Sequence, residues 1–463
     1  MKNGILFLML IVFMAVCTNA AVSLEQQAGE GVSLTIYNDN FGVIREARKM
    51  KFEQGVNTIR FTDVASAIDP TSVNFKSLSV PDAVTILEQN YEYDLVNQDA
   101  LLKRYLDKTV TVMVKGSGSD RGKEVTGQLL SAAGGDLIVK GAGDAIEVIN
   151  QNSVEEISLK ELPGDLVTKP TLVWLAQAKE KGEQLCRVTY TTEQIKWDAD
   201  YSAVLSSNET AIDFSGWVTI DNKSGATYKD AGLKLIAGDV RRVTEPRPVL
   251  MRKAMAEDAY GGFEEKAFME YHLYTLGRKS TINNNQVKQI EFISPVANVP
   301  TKKLYIYERS EAQDKIQIKL EFENTKANKL GMALPQGKVR VFKKDPADDT
   351  LEFVGEDKID HTPKDEKLSL YIGNAFDIVP EYTLVSSQVG RRMQKQTHKV
   401  ELRNRKAETV TILVDEKLPP WVNWNIDESS HKYEKRDART VRFTVEIKAD
   451  SVLTLQYTVT QTW

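Results

Sequence analysis

The stretch from Ala211 to Asn222 constrains the fold more than any other. Ile212, Phe214, Gly216, Val218 and Ile220 alternate with Asp213, Ser215, Trp217, Thr219 and Asp221, the period of two that lets a strand bury one face and wet the other. Asn222, Lys223, Ser224 and Gly225 are turn formers, and Leu233, Leu235 and Ala237 then resume the alternation, which predicts a hairpin through Val240. Ile316, Ile318, Leu320 and Phe322 repeat the scheme, as do Val441, Phe443, Val445 and Ile447, and then Leu453, Leu455, Tyr457 and Val459. Residues 400–414 read as a second hairpin, reversing near Asn404, Arg405 and Lys406. No helical pattern separates these runs, which argues against a parallel α/β sheet. The expectation is an all-β protein: an antiparallel β-sandwich region with an inserted small Sm-like or SH3-like barrel.

Residues 1–20 depart from the rest. Lys2 precedes an apolar run from Ile5 to Val16, and Thr18 and Ala20 occupy the small-residue positions of a cleavage site. This predicts a signal peptide cut between Ala20 and Ala21, and a periplasmic or secreted protein of the cell envelope. Val16 stands where lipid attachment at Cys17 wants a small residue, so a lipoprotein is not expected. No later run reaches the roughly 20 apolar residues of a membrane helix, so the mature chain is expected to lack a transmembrane segment. Losing Lys2 moves the net charge from −5 to −6. That balance gives no reason to expect nucleic acid or an anionic lipid face as a partner. Cys186 would then stand alone, which excludes an internal disulfide.

Four segments follow from texture: the signal peptide over 1–20, an N-terminal β unit over 21–90, the small barrel over 91–162, and a large β-sandwich domain over 163–463. In the second, Val32, Leu34 and Ile36 alternate with Ser33, Thr35 and Tyr37. In the third, Asp94 or Asn97 caps a short helix bearing Leu101, Leu102, Tyr105 and Leu106. Five strands follow at 109–114, 124–130, 136–140, 145–149 and 154–159, separated by glycine-bearing turns. Sm-like domains often bind RNA, which export and mild acidity argue against here. Residues 241–271 break the strand pattern with Pro246, Pro248, Gly261 and Gly262, and predict a surface excursion carrying Met251, Met255, Phe263 and Met269.

Trp197-Asp198-Ala199-Asp200-Tyr201, Ser215-Gly216-Trp217-Val218-Thr219-Ile220-Asp221-Asn222 and Leu233-Lys234-Leu235-Ile236-Ala237-Gly238-Asp239-Val240 resemble blocks of a bacterial exported family of unknown function. That family shares the C-terminal domain of mucoidy inhibitor A-like proteins. Further similar blocks are 271–276, Leu334-Pro335 with 337–341, 355–363 and 373–377, so the likeness runs from Pro170 to the end. It implies a β-sandwich-rich exported protein and supplies no reaction and no catalytic residues. Mucoidy inhibitor A-like members usually carry a long helical coiled coil ahead of this domain, where this chain has the expected small barrel.

Two sets of residues could carry function. Glu356, Asp360, His361 and Asp377, with Asp357, Asp365 and Glu366 nearby, have the oxygen and imidazole donors for a divalent cation or for general acid and base work. Lys358, Lys364 and Lys367 interleave with them, so a solvated loop explains them equally well. Trp217 lies on the polar parity of its strand, and Trp421 and Trp424 flank Val422 and Asn423 after Pro419 and Pro420. Exposed Trp among polar neighbours stacks on sugar rings or fills a partner's pocket. His398 shares parity with Val400 and Leu402 and reads as a half-buried side chain rather than a partner of Glu401. No HExxH spacing and no nucleophile elbow occurs. The glycines near Gly118 and Gly122 lack phosphate-loop spacing, and Glu124 stands where that loop needs a hydroxyl. The leading expectation is a non-enzymatic envelope module that binds a protein or glycan and needs no cofactor. The alternative is a metal-dependent hydrolase centred on Glu356 to His361 with a divalent cation. A self-associating structural scaffold is the third reading, and oligomeric state is left open.

Overall fold

Period-two patterning leads to strands nearly throughout. The computed structural model describes residues 30–93, 97–116, 122–161, 167–238, 240, 263–268, 271–309 and 315–463, and these are mostly β-strand, with one α-helix, Gln98–Arg104. The expected signal peptide, Cys17, Asp94, Gly118, Met251, Met255 and Met269 lie outside the described residues.

The central sheet has five strands in the order Gln286–Pro300, Ala211–Asn222, Ile195–Leu205, Gly337–Lys344, Leu351–Ile359. An eight-stranded sheet takes Gly31–Tyr37 between Phe41–Phe52 and Tyr228–Ala237, and continues through Gly182–Glu193 to Ile68–Ser77. Thr171–Ala178 is flanked by Gly55–Thr62 and Val84–Glu92 in a three-stranded sheet. Strands of residues 31–92 therefore pair with strands beyond residue 170 rather than only with one another. Inward-facing Trp174, Trp197, Tyr201, Phe214, Leu235 and Tyr274 from these sheets meet in one apolar cluster.

A six-stranded sheet runs Lys367–Asn374, Gln317–Glu323, Lys302–Glu308, Val410–Lys417, Thr440–Ile447, Tyr433–Lys435. A four-stranded sheet runs Ile378–Val389, Met393–Asn404, Ser451–Thr462, Asn423–Ser429. Tyr307, Ile412 and Phe443 of the former share a second cluster with Val400, Leu455 and Tyr457 of the latter. Leu320 and Phe322, also in the six-stranded sheet, belong to the first cluster, so that sheet serves both cores.

The small region matches its expected elements closely. Asn97 caps the helix by accepting from the Ala100 amide at 2.9 Å, and strands Thr109–Val114 and Asp136–Lys140 have the expected bounds. Leu102 and Tyr105 are buried against Val112, Leu129 and Val139, whereas Leu106 is exposed. The end strands of its five-stranded sheet, Ile146–Asn150 and Val154–Ser158, do not pair with each other, so the sheet is not a closed barrel.

Three expectations need correction. The sheets are mixed rather than antiparallel throughout: Gly31–Tyr37 with Tyr228–Ala237, Ile195–Leu205 with Gly337–Lys344, and Lys302–Glu308 with Val410–Lys417 are parallel pairs. The expected hairpins at 211–240 and 400–414 are crossings between sheets. Ala211–Asn222 belongs to the central sheet and Tyr228–Ala237 to the eight-stranded one, while Met393–Asn404 and Val410–Lys417 fall in the four- and six-stranded sheets. Part of the expected excursion is a strand, Phe263–Phe268, at the edge of the eight-stranded sheet beside Tyr271–Leu276.

Three of the crossings carry a buried asparagine. A strand that leaves its sheet abandons its ladder, and peptide groups at the turn need other partners. Asn222 donates to the carbonyls of Ala226, Ile282 and Asn283 and accepts from the Ser224 amide and hydroxyl. Asn404 donates to Glu408, Ile447 and Lys448 and accepts from the Lys406 amide. Asn324, where the chain passes from Gln317–Glu323 to Gly337–Lys344, donates to Met332 and Pro363 and accepts from the Gly331 amide. All three are 0% exposed. Gly225, at φ +87°, completes the first turn, where a Cβ would run into Ser66.

Removing such a clamp leaves buried carbonyls without donors. Asn404→Ala is expected to cost about 3 kcal/mol. Asn404→Asp should cost at least as much, because a carboxylate only accepts and would face three carbonyl oxygens. Urea unfolding checks this, and a loss below about 1 kcal/mol for both variants would contradict it.

Candidate functional site

The central sheet keeps one face dry and turns the other to solvent. Ile212, Phe214, Val218 and Ile220 are buried, and Trp217 on the opposite parity is 43% exposed. Register places Trp217 between Asp200 of Ile195–Leu205 and Glu291 of Gln286–Pro300. Beneath this row Tyr201 is buried with its hydroxyl donating to the Pro335 carbonyl at 2.8 Å. A Cβ at Gly216 would meet the Tyr201 ring at 3.1 Å, so glycine is what lets the ring lie flat under the sheet.

Polar side chains link all five strands across the outer face. Gln289 donates to the Thr219 hydroxyl at 3.2 Å, and Thr219 donates to Asp200 Oδ2 at 2.6 Å. Arg340 donates to Asp200 Oδ1 at 3.2 Å and lies 3.8 Å from Glu356, which also pairs with Lys338 at 3.2 Å. Such a ladder fixes the direction of carboxylate and guanidinium groups beside an exposed indole. A shallow groove bounded by Leu276, Gly277, Arg278, Ile290 and Glu291 continues from the Glu291 side. The surface can stack a flat ring on Trp217 and meet its hydroxyls with fixed donors and acceptors.

The residues of the acidic loop are divided among separate places. Glu356 joins the ladder, where Lys338 and Arg340 neutralise it. His361 accepts the Gln336 amide on Nδ1 at 3.1 Å, next to the bridge between Leu334 and Thr362. Asp360 is exposed, its carbonyl accepting from Thr362 Oγ1 at 2.8 Å. Asp377 lies at the start of Ile378–Val389, its side chain exposed and its carbonyl accepting from the Arg405 amide at 2.8 Å. Among the described residues no three His, Cys, Asp or Glu side chains gather to hold a metal ion. The geometry therefore lends the cation reading no support.

Trp421 is 75% exposed. Trp424, three residues further and in the strand Asn423–Ser429, is partly buried: its Nε1 donates to the Ala438 carbonyl at 2.8 Å, and Lys435 lies over its ring at 4.3 Å. It fastens the 433–440 hairpin to the four-stranded sheet, while Trp421 stays available. Neither lies on the sheet that holds Trp217.

Sequence reasoning missed the densest set of charges, which lies between the six- and four-stranded sheets. Glu416, 2% exposed, receives Arg309 through Nε at 3.2 Å and NH2 at 2.7 Å, and the Tyr457 hydroxyl at 2.7 Å. On the other side of the strand Arg442 grips Asp415 with two bonds of 2.6 Å. The signal available was the Asp415-Glu416 pair closing an apolar run, since acids there must be paired if buried. His398 follows its parity but is more deeply buried than half: it is 2% exposed, shares a 2.8 Å hydrogen bond through Nδ1 with Tyr382 and stacks on Tyr457 at 5.1 Å. Burial holds its pKa below the usual histidine range, with the Glu416 charge opposing and the Arg309 charge adding to that shift. Lone Cys186 is buried, and burial pushes its thiol up to about 11, which leaves it protonated and unreactive at neutral pH.

Comparison with protein families and with curated proteins finds no match to this chain.

The His398 shift fixes a pH dependence. In the fold the ring takes up its proton at a lower pH than in the unfolded chain, where it does so near about pH 6.5. Its contribution is complete above that pH and is lost as pH falls toward the folded value. Denaturation between pH 7 and 5 should show falling stability, with a shallower slope in His398→Gln. An identical slope in the variant would contradict the assignment. Glu416→Ala leaves the buried Tyr457 hydroxyl without its acceptor and should cost about 2 kcal/mol at neutral pH in the same assay.

Proposed function

We propose that this chain is an exported binding module, not an enzyme, that takes a neutral glycan on the outer face of the central sheet. One observation carries the reading: Trp217 is 43% exposed and its strand neighbours across the sheet are Asp200 and Glu291, with Thr219 and Ser215 alongside on its own strand. A protein-binding patch has an apolar centre depleted of charge. A lone indole inside a field of fixed carboxylates and hydroxyls instead suits a sugar, whose faces are apolar and whose rim is hydroxyl. The ladder through Asp200, Arg340 and Glu356 supports the same reading, because its groups are oriented before any ligand arrives. Export through residues 1–20 would place this face outside the cytoplasm, where envelope glycans occur, in keeping with the resemblance to an exported family.

Architecturally we read the six- and four-stranded sheets as a β-sandwich, on the strength of their shared apolar cluster, and the small region as a relative of Sm-like or SH3-like folds.

Calorimetry against a panel of neutral envelope oligosaccharides tests the proposal. Trp217→Ala should weaken the best ligand at least about tenfold, and Asp200→Ala should weaken it too, with unfolding midpoints close to the parent for Trp217→Ala because the ring is half in solvent. Unchanged affinity in both variants, or capture of an envelope protein with no glycan bound, would overturn the glycan reading.

A further inference from the structure

The four-stranded sheet ends in a cationic and aromatic rim. Met393 and Thr462 are paired, Asn423 and Thr462 are paired, and the Trp463 amide donates to the Arg392 carbonyl at 3.3 Å. Three neighbouring strands therefore begin or finish at one level, and the chain beyond each of them projects from the same end. On that end Val389 is 73% exposed, Met393 39%, Trp421 75% and Trp463 52%, and Arg391 and Arg392 are exposed at the hairpin tip between Ile378–Val389 and Met393–Asn404. The loop bearing Trp421 is tied down on both sides, by the Leu418 amide donating to the Arg439 carbonyl at 2.8 Å and by the ladder from Asn423 onward.

Charge at this end runs opposite to the chain as a whole. The net charge is −5, but the nearby acids are engaged. Asp427 pairs with Lys395 at 3.0 Å, and the Asp437 carboxylate, held by the Arg439 amide at 2.7 Å, lies in a turn that also carries Arg436 and Arg439. Neither Arg391 nor Arg392 makes an ion pair with a described residue. Because charge is screened over about 8 Å in physiological salt, a local pair of guanidinium groups governs what approaches, and the distant acids do not.

We propose that this rim docks the protein on an anionic lipid surface. Indoles settle at the headgroup level with their apolar bodies turned toward the acyl chains, and arginine stems lie along apolar surface while the guanidinium reaches phosphate. Val389 and Met393 supply the shallow apolar contact between them, and four strands at about 4.8 Å spacing give a rim broad enough to rest on a flat surface. The expectation drawn from net charge, that an anionic lipid face is no partner, averages over charge that is segregated at this rim. This site is on a different sheet from Trp217, and the inference does not depend on glycan binding.

Vesicle co-sedimentation tests it, using the chain from Ala21 onward, which keeps every described residue. Vesicles of phosphatidylcholine alone are compared with vesicles mixed with phosphatidylglycerol. Binding should need phosphatidylglycerol and weaken as salt rises. Each basic residue near an anionic surface contributes roughly fivefold, so the doubly reversed variant Arg391→Glu with Arg392→Glu should lose at least about 20-fold, while Trp421→Ala should lose several-fold. Both variants alter exposed residues, and circular dichroism should match the parent. No binding to either vesicle, or equal binding by parent and reversed variant, would sink the proposal. Dextran sulfate competing as well against Trp421→Ala as against the parent, with vesicle binding unaffected by loss of the indole, would also overturn the lipid assignment in favour of a soluble polyanion.

Discussion

Buried asparagines at the sheet crossings hold this molecule together. Asn222, Asn324 and Asn404 each stand where a strand leaves one sheet for another, and each amide bonds to two or three backbone carbonyls around the turn. A chain built from separate sheets must make many such departures, and each one threatens to bury unpaired peptide groups. One short side chain that both donates and accepts solves this locally, because Asn offers two donors and an acceptor on a single rotor. Lys and Arg follow them at Lys223, Arg405 and Lys406, where the turn returns to solvent. The apolar clusters pack between the sheets that these crossings join.

Much of this was legible strand by strand and little of it sheet by sheet. Alternation located Ala211–Asn222 and Thr440–Ile447, and of the two candidate caps before Leu101 and Leu102, Asp94 and Asn97, the helix takes Asn97. The crossings were misread as hairpins because Asn-Lys-Ser-Gly and Asn-Arg-Lys look like turn formers in either setting. Whether the next strand pairs with the last or moves to another sheet depends on contacts remote in sequence, such as Gly31–Tyr37 claiming Tyr228–Ala237. The binding face divides the same way. The polar parity of Trp217 was visible, but its partners Asp200, Glu291 and Arg340 come from three other strands. Glu356 was picked out for the wrong company, since register gives it Arg340 and Lys338 rather than Asp360 and His361. His398 was placed by parity, whereas its neighbours Tyr457 and Glu416 were not, because they reach it through pairing and packing between sheets.

The clamps bear on function through rigidity. Asn222 ends the strand that presents Trp217, and its bonds to Ile282 and Asn283 tie that strand end to the chain leading into Gln286–Pro300, the neighbour bearing Glu291. Asn404 similarly fixes the strand whose other end carries Met393 and the exposed arginine pair. Both proposed surfaces thus sit on sheets with their geometry set at one end, so a stacking indole or a guanidinium pair is ordered before a ligand arrives. Charge is arranged with the same locality: the buried acids Glu416 and Asp415 are matched by Arg309 and Arg442, and among the described residues the rim arginines Arg391 and Arg392 have no ion-pair partner.

Amide hydrogen exchange on the chain carrying Asn222→Ala tests the role of the crossings most directly. If Asn222 couples two sheets, protection should fall together in Ala211–Asn222 and in Tyr228–Ala237, while the small sheet from Thr109 to Ser158 exchanges as in the parent. Protection unchanged on both sides of the crossing, or lost on one side alone, would contradict the account.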